Sequence, residues 1–122
     1  MPVLYRYDSD IVVVEIVAEY SMDELRKTIL NSLADPQCPQ SAVLMINSGG
    51  SQSIYKRSAD DVKTMAQFIA SLGKSFHNRI ALVAPADLPF GLMRIGSVGS
   101  EDRGIDSSVF RSMAEARAWL LA

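Results

Sequence analysis

The sequence predicts an α/β domain with a mixed, largely parallel sheet of about five strands and about four helices packed on it. Three observations lead there. Short apolar runs, Ala42 to Asn47 and Arg79 to Ala84, stop at polar or proline-containing stretches, as strands covered on both faces do. Helix-start signals with apolar residues at helical spacing fall between such runs. The chain opens on two β-rich runs close enough to pair directly, so a hairpin precedes the alternation of strands and helices.

Val3 to Tyr7 and Ile11 to Val17 are those two runs, and Asp8-Ser9-Asp10 between them has the length of a three-residue hairpin loop. Along the second run Val12, Val14 and Ile16 share one face, while Ile11, Val13, Glu15 and Val17 share the other. The face free of charge is the one expected to carry helices, and Glu15 is expected to be solvated. Ser21-Met22-Asp23-Glu24 then forms a capping box, flanked by the hydrophobic staple Tyr20 and Leu25, and Met22, Leu25, Ile29 and Leu33 continue at helical spacing. Asp35-Pro36 ends that helix, because a proline disfavours helical geometry in the residue before it.

After the strand Ala42 to Asn47 comes a glycine- and serine-rich loop, then a helix from about Ser58 to Leu72 with Val62, Met65, Ala66, Ile69 and Leu72 on one stripe. Gly73 is placed to close this helix in the left-handed conformation. Arg79 to Ala84 reads as a strand stopped by Pro85, and Asp87 can cap a short helix from Leu88 to about Ser97 with Pro89 in its first turn. Val98 to Gly104 reads as a loop and Ile105 to Phe110 as the last strand. Ser112-Met113-Ala114-Glu115 is a second capping box, opening a helix with Ala116, Trp119 and Leu120 on one side.

The 122 residues, 1–122, suit one domain, and 48% hydrophobic with 21% charged residues is the balance of a soluble globular chain. A net charge of -2 provides no field for nucleic acid. The single cysteine, Cys38, excludes an internal disulfide; with no signal-like amino terminus and no apolar run of membrane-spanning length, the expected location is the cytoplasm. No metal is expected from one histidine and one cysteine without ligand spacing.

The element order over the whole chain resembles the STAS domain family, named for sulfate transporters and anti-sigma-factor antagonists. Ala81-Leu82-Val83-Ala84-Pro85-Ala86-Asp87, then Gly91 and Arg94, Val109-Phe110, and Ala116 to Leu120 look like its stand-alone bacterial SpoIIAA-like branch. The resemblance implies a non-enzymatic regulatory or ligand-binding module without a cofactor. In anti-sigma-factor antagonists a serine where the central strand's loop meets the next helix is phosphorylated, and the charge switches binding of a partner. The family's Asp-Ser-Ser-Gly pattern is absent from that place, and Ser58 is the nearest positional match; Asp106-Ser107-Ser108 lies in the last strand region instead. The branch is also similar to lipid-binding Sec14-type modules, which implies as an alternative a small carrier or sensor of a hydrophobic, lipid-like ligand.

Two groups of residues are the candidate sites. In the loop after the central strand, Ser48, Gly49, Gly50, Ser51 and Ser53 can turn backbone amides toward an anion, with Lys56, Arg57 and the next helix start nearby. The same loop lacks P-loop spacing, and Ser58 with Asp61 also fits an ordinary helix cap. A phosphate on Ser58 would meet Asp60 and Asp61, a repulsion Ser51 and Ser53 partly avoid, so the loop serines stay equivalent candidates. Asp87, Gly91 and Arg94 share a helix face, where Arg94 could meet an acidic headgroup. No catalytic group is assigned: His77, the only histidine, has no local nucleophile motif beside it. The expected partner is a regulatory protein or a small anionic or hydrophobic ligand, and a homodimer is left open.

Overall fold

The computed structural model describes residues 3–18, 20–48, 59–84 and 105–122. Strands β1 (Val3–Asp8) and β2 (Ile11–Ile16) form the antiparallel hairpin. Asp8 pairs with Ile11, so the connection is two residues, Ser9 and Asp10, rather than three, with Ser9 at φ 56°. Two-residue turns need positive φ, and their twist matches that of the strands they join, which lets the ladder run one pair further. Helix α1 (Met22–Ala34) follows, then β3 (Val43–Asn47), α2 (Ala59–Ser71), a 3₁₀ turn (Gly73–Phe76), β4 (Arg79–Val83), β5 (Asp106–Phe110) and α3 (Met113–Leu120).

The strands lie in the order β1-β2-β3-β4-β5, with β2 to β5 mutually parallel. β3 is therefore the central strand. The predicted helix from Leu88 to about Ser97 lies outside the described residues.

Helix α1 begins as the sequence requires. The Ser21 hydroxyl accepts from the Glu24 backbone N–H at 3.1 Å, and the Glu24 carboxylate accepts from the Ser21 N–H at 3.1 Å. Asp35 ends it in extended geometry, φ -64° and ψ 134°, as expected before Pro36. At α3 the structure shows the serine half of the predicted box, Glu115 N–H to the Ser112 hydroxyl at 3.2 Å.

Both sheet faces are covered. Val12, Val14 and Ile16, the charge-free face of β2, join Leu44, Ile46 and Ile80 against Leu25 and Ile29 of α1, Met65 and Ile69 of α2, and Phe76. On the other face Ile11, Val13, Met45, Ala81 and Val83 pack with Ala116 and Leu120 of α3. Glu15 sits at the margin of that second face, opposite Leu4 in the hairpin, and is held by Arg6 at 3.0 Å rather than being free in solvent. One charge at the margin thus leaves the centre of the face apolar.

Gly73 does not take the left-handed role expected of it. Positive φ occurs instead at His77 and Asn78, both 56°, where the chain turns into β4. Glycine leaves room at 73 in a different way: a Cβ there would crowd the ends of the Asn78 and Ile105 side chains, which would have to shift.

Candidate functional site

Four parallel strands end at one edge of the sheet, and the two stretches carrying the candidate site residues leave from neighbouring strands there, β3 and β4. Ser48 is the first residue after β3 and is 4% exposed. Its backbone N–H and its hydroxyl both donate to the Val83 carbonyl, at 3.0 and 3.1 Å. The Ala84 N–H donates to the Phe110 carbonyl at 2.9 Å, lacing β4 to β5 in the same way. Asn47, the last residue of β3, donates from Nδ2 to the Met113 Sδ at 3.1 Å, which draws the start of α3 to this edge.

This lacing ties together the ends of β3, β4 and β5 and the start of α3. Ser48 spends its hydroxyl on holding two strand ends together, a bond that gives the outgoing chain a fixed point of departure. The chain returns as α2, whose first turn carries Asp60 and Asp61; these carboxylates complement the helix's partial positive charge. Gly49, Gly50, Ser51, Ser53, Lys56, Arg57 and Ser58 lie outside the described residues, as do Asp87, Gly91 and Arg94.

Of the other residues weighed from the sequence, His77 turns its Nδ1–H onto the Ala42 carbonyl at 2.9 Å, fastening the turn before β4 to the start of β3. Met45 and Met65 are core residues, 1% and 7% exposed. Among the described residues no group of three or more His, Cys, Asp or Glu is placed to hold a metal ion, and no helix is long and apolar enough to cross a membrane.

Two clusters were not singled out by the sequence. The Tyr5 hydroxyl donates to Asp35 Oδ2 at 2.8 Å, the Gln37 N–H donates to Asp35 Oδ1 at 2.9 Å, and the Tyr7 hydroxyl donates to the Ser32 carbonyl at 2.8 Å. The Gln37 amide and then the Tyr5 hydroxyl hold the Asp35 carboxyl below its ordinary range. Burial, reinforced by the Asp35 charge, pushes Tyr7 up to about 12 and raises the Cys38 thiol. Cys38 is partly buried beside this cluster, its Sγ–H donating to the Pro39 carbonyl at 3.7 Å. The second cluster is Arg79, stacked 4.4 Å above the Trp119 ring, with its Nη2 donating to the Trp119 carbonyl at 2.7 Å and Asp106 at 3.8 Å. Alternation along β1 places Tyr5 and Tyr7 on one face, but nothing local reveals their partners in α1.

No protein-family model and no curated protein matches the chain. Among solved structures it is similar to an uncharacterised protein of the DUF3478 family from Shewanella loihica PV-4, which has a SpoIIAA-like fold. The two are 17% identical, with a TM-score of 0.59 over 97% of this chain and 91% of the other. The fold is SpoIIAA-like. At that identity the likeness extends to architecture alone, and the SpoIIAA-like sheet described above accounts for it: an antiparallel hairpin leading into parallel strands, with helices on both faces.

Proposed function

We propose that this SpoIIAA-like chain is a non-catalytic regulatory module of the cytoplasm, and that it binds a protein partner or an anionic ligand through the loop after β3. The observation that supports the reading is the convergence at one edge: β3 and β4 are neighbours, tied by Ser48 and Val83, and both candidate stretches leave from their ends. Ligands of open α/β sheets gather outside the carboxyl ends of the strands, where loops from adjacent strands meet. Seryl and amide groups from the first stretch and Arg94 from the second would supply complementary recognition of a carboxylate or phosphate.

Native mass spectrometry of the chain purified from its own cells tests this. A co-purifying protein, or an anionic adduct that disappears when Lys56, Arg57 and Arg94 are replaced by alanine, is the expected result. A lipid-like mass that survives those replacements would sink this reading in favour of a hydrophobic carrier.

A further inference from the structure

We propose that Met113 is a reversible oxidation site, and that conversion of its thioether to the sulfoxide is relayed by Asn47 to the end of β3. The inference is independent of what the neighbouring loop binds. It starts from one contact: the Asn47 Nδ2–H points at the Met113 sulfur from 3.1 Å. A thioether is a weak acceptor, so this particular contact is a weak one in the reduced protein.

Accessibility separates the methionines. Met45 and Met65 are buried in the core, while Met22 and Met113 are half-buried at helix starts and within reach of a solvent oxidant. Among the described residues, Met113 is the one of these four with a side-chain amide aimed at its sulfur. A peroxide is the co-reactant. A sulfur lone pair attacks one peroxide oxygen, the O–O bond breaks as the S–O bond forms, and after proton transfer water leaves; sulfur loses two electrons and the peroxide gains them. Reduction by a methionine sulfoxide reductase, with thiols as the electron source, restores the thioether.

The sulfoxide oxygen is a far stronger acceptor than the sulfur it sits on, and it makes the side chain polar. An oxygen on the side facing Asn47 needs more room than 3.1 Å leaves, and an oxygen on the other side draws the amide toward it. Either outcome moves the Asn47 carboxamide relative to α3. Asn47 is the last residue of β3, and the next residue, Ser48, makes the two bonds to Val83 that define where the loop departs. Oxidation at the first residue of α3 thereby acts on the sheet edge.

The experiment treats the full-length native protein with hydrogen peroxide, follows each methionine by peptide mass spectrometry, and records the side-chain amide resonances of Asn47. Met113 is expected to oxidise several-fold faster than Met45 and Met65, with the Asn47 resonances shifting in step and returning on treatment with reductase. In Met113→Leu, which conserves volume, peroxide still oxidises Met22 but leaves the Asn47 resonances in place. Oxidation of Met113 no faster than that of Met45, or unmoved Asn47 resonances in protein fully oxidised at Met113, overturns the proposal. The wild-type measurement decides the matter even if the leucine variant folds poorly.

Discussion

The Tyr5 hydroxyl donates to Asp35 Oδ2 at 2.8 Å, fastening the edge strand of the sheet to the residue that ends α1. Thirty positions apart in sequence, the two residues close the corner that Tyr7 and Cys38 fill from within. Asp35 is lowered by the Gln37 amide and the Tyr5 hydroxyl, so its folded value lies below its ordinary value of 3.8. A depressed carboxylate stabilises the fold fully above the unfolded value, and that contribution is lost as pH falls through the folded one. Urea midpoints measured at pH 7 and at successively lower pH are expected to show wild type above Asp35→Asn at neutrality and the gap closing in acid. A gap independent of pH would assign the effect of the substitution to packing.

Ser21 makes both bonds of its capping box, while Ser112 shows one. Ser21→Ala and Ser112→Ala each remove one hydroxyl acceptor and are each expected to cost about 1 kcal/mol by chemical denaturation, and adding Glu24→Ala to Ser21→Ala removes the second bond of the box and is expected to lower stability further. A double variant no less stable than Ser21→Ala alone would mean that the Glu24 carboxylate adds nothing at α1.

Gly73→Ala places a methyl group against Asn78 and Ile105. Crowding of this kind costs roughly 1–3 kcal/mol, and trimming the neighbour in Gly73→Ala/Asn78→Gly should recover part of it. A double variant no more stable than the single one would show that Ile105, not Asn78, is the obstruction.

Arg79 lies over the ring of Trp119, the only tryptophan in the chain, and caps the end of α3 through the Trp119 carbonyl. Arg79→Ala is expected to shift tryptophan emission to the red and to lower stability by about 1–2 kcal/mol, the range of a partly desolvated cation–π contact. Unchanged emission would place Trp119 outside the influence of Arg79.

Local signals made most of the architecture legible. The capping box at Ser21, the stop at Asp35-Pro36 and the alternation of Val12, Val14 and Ile16 each act within a few residues, and each appears in the structure. Contacts formed between distant segments were not legible in the same way. Glu15 disguised the second sheet face, because pairing with Arg6 at the hairpin margin frees Ile11 and Val13 for α3. Gly73 was read from its place after a helix, yet its close neighbours are the side chains of Asn78 and of Ile105, the residue before β5. For the candidate site, the sequence located the departure point at the end of the central strand; that Ser48 would spend its hydroxyl on Val83, and that Met113 would sit beside Asn47, depended on strand order.

Binding through the loop after β3 is tested most directly by replacing Ser51, Ser53 and Ser58 together with alanine and comparing the triple variant with wild type, both purified from the protein's own cells, by native mass spectrometry. Wild type is predicted to carry a partner or phosphate mass that the triple variant loses while keeping the same circular dichroism. Identical occupancy in the two proteins would contradict a binding site in that loop.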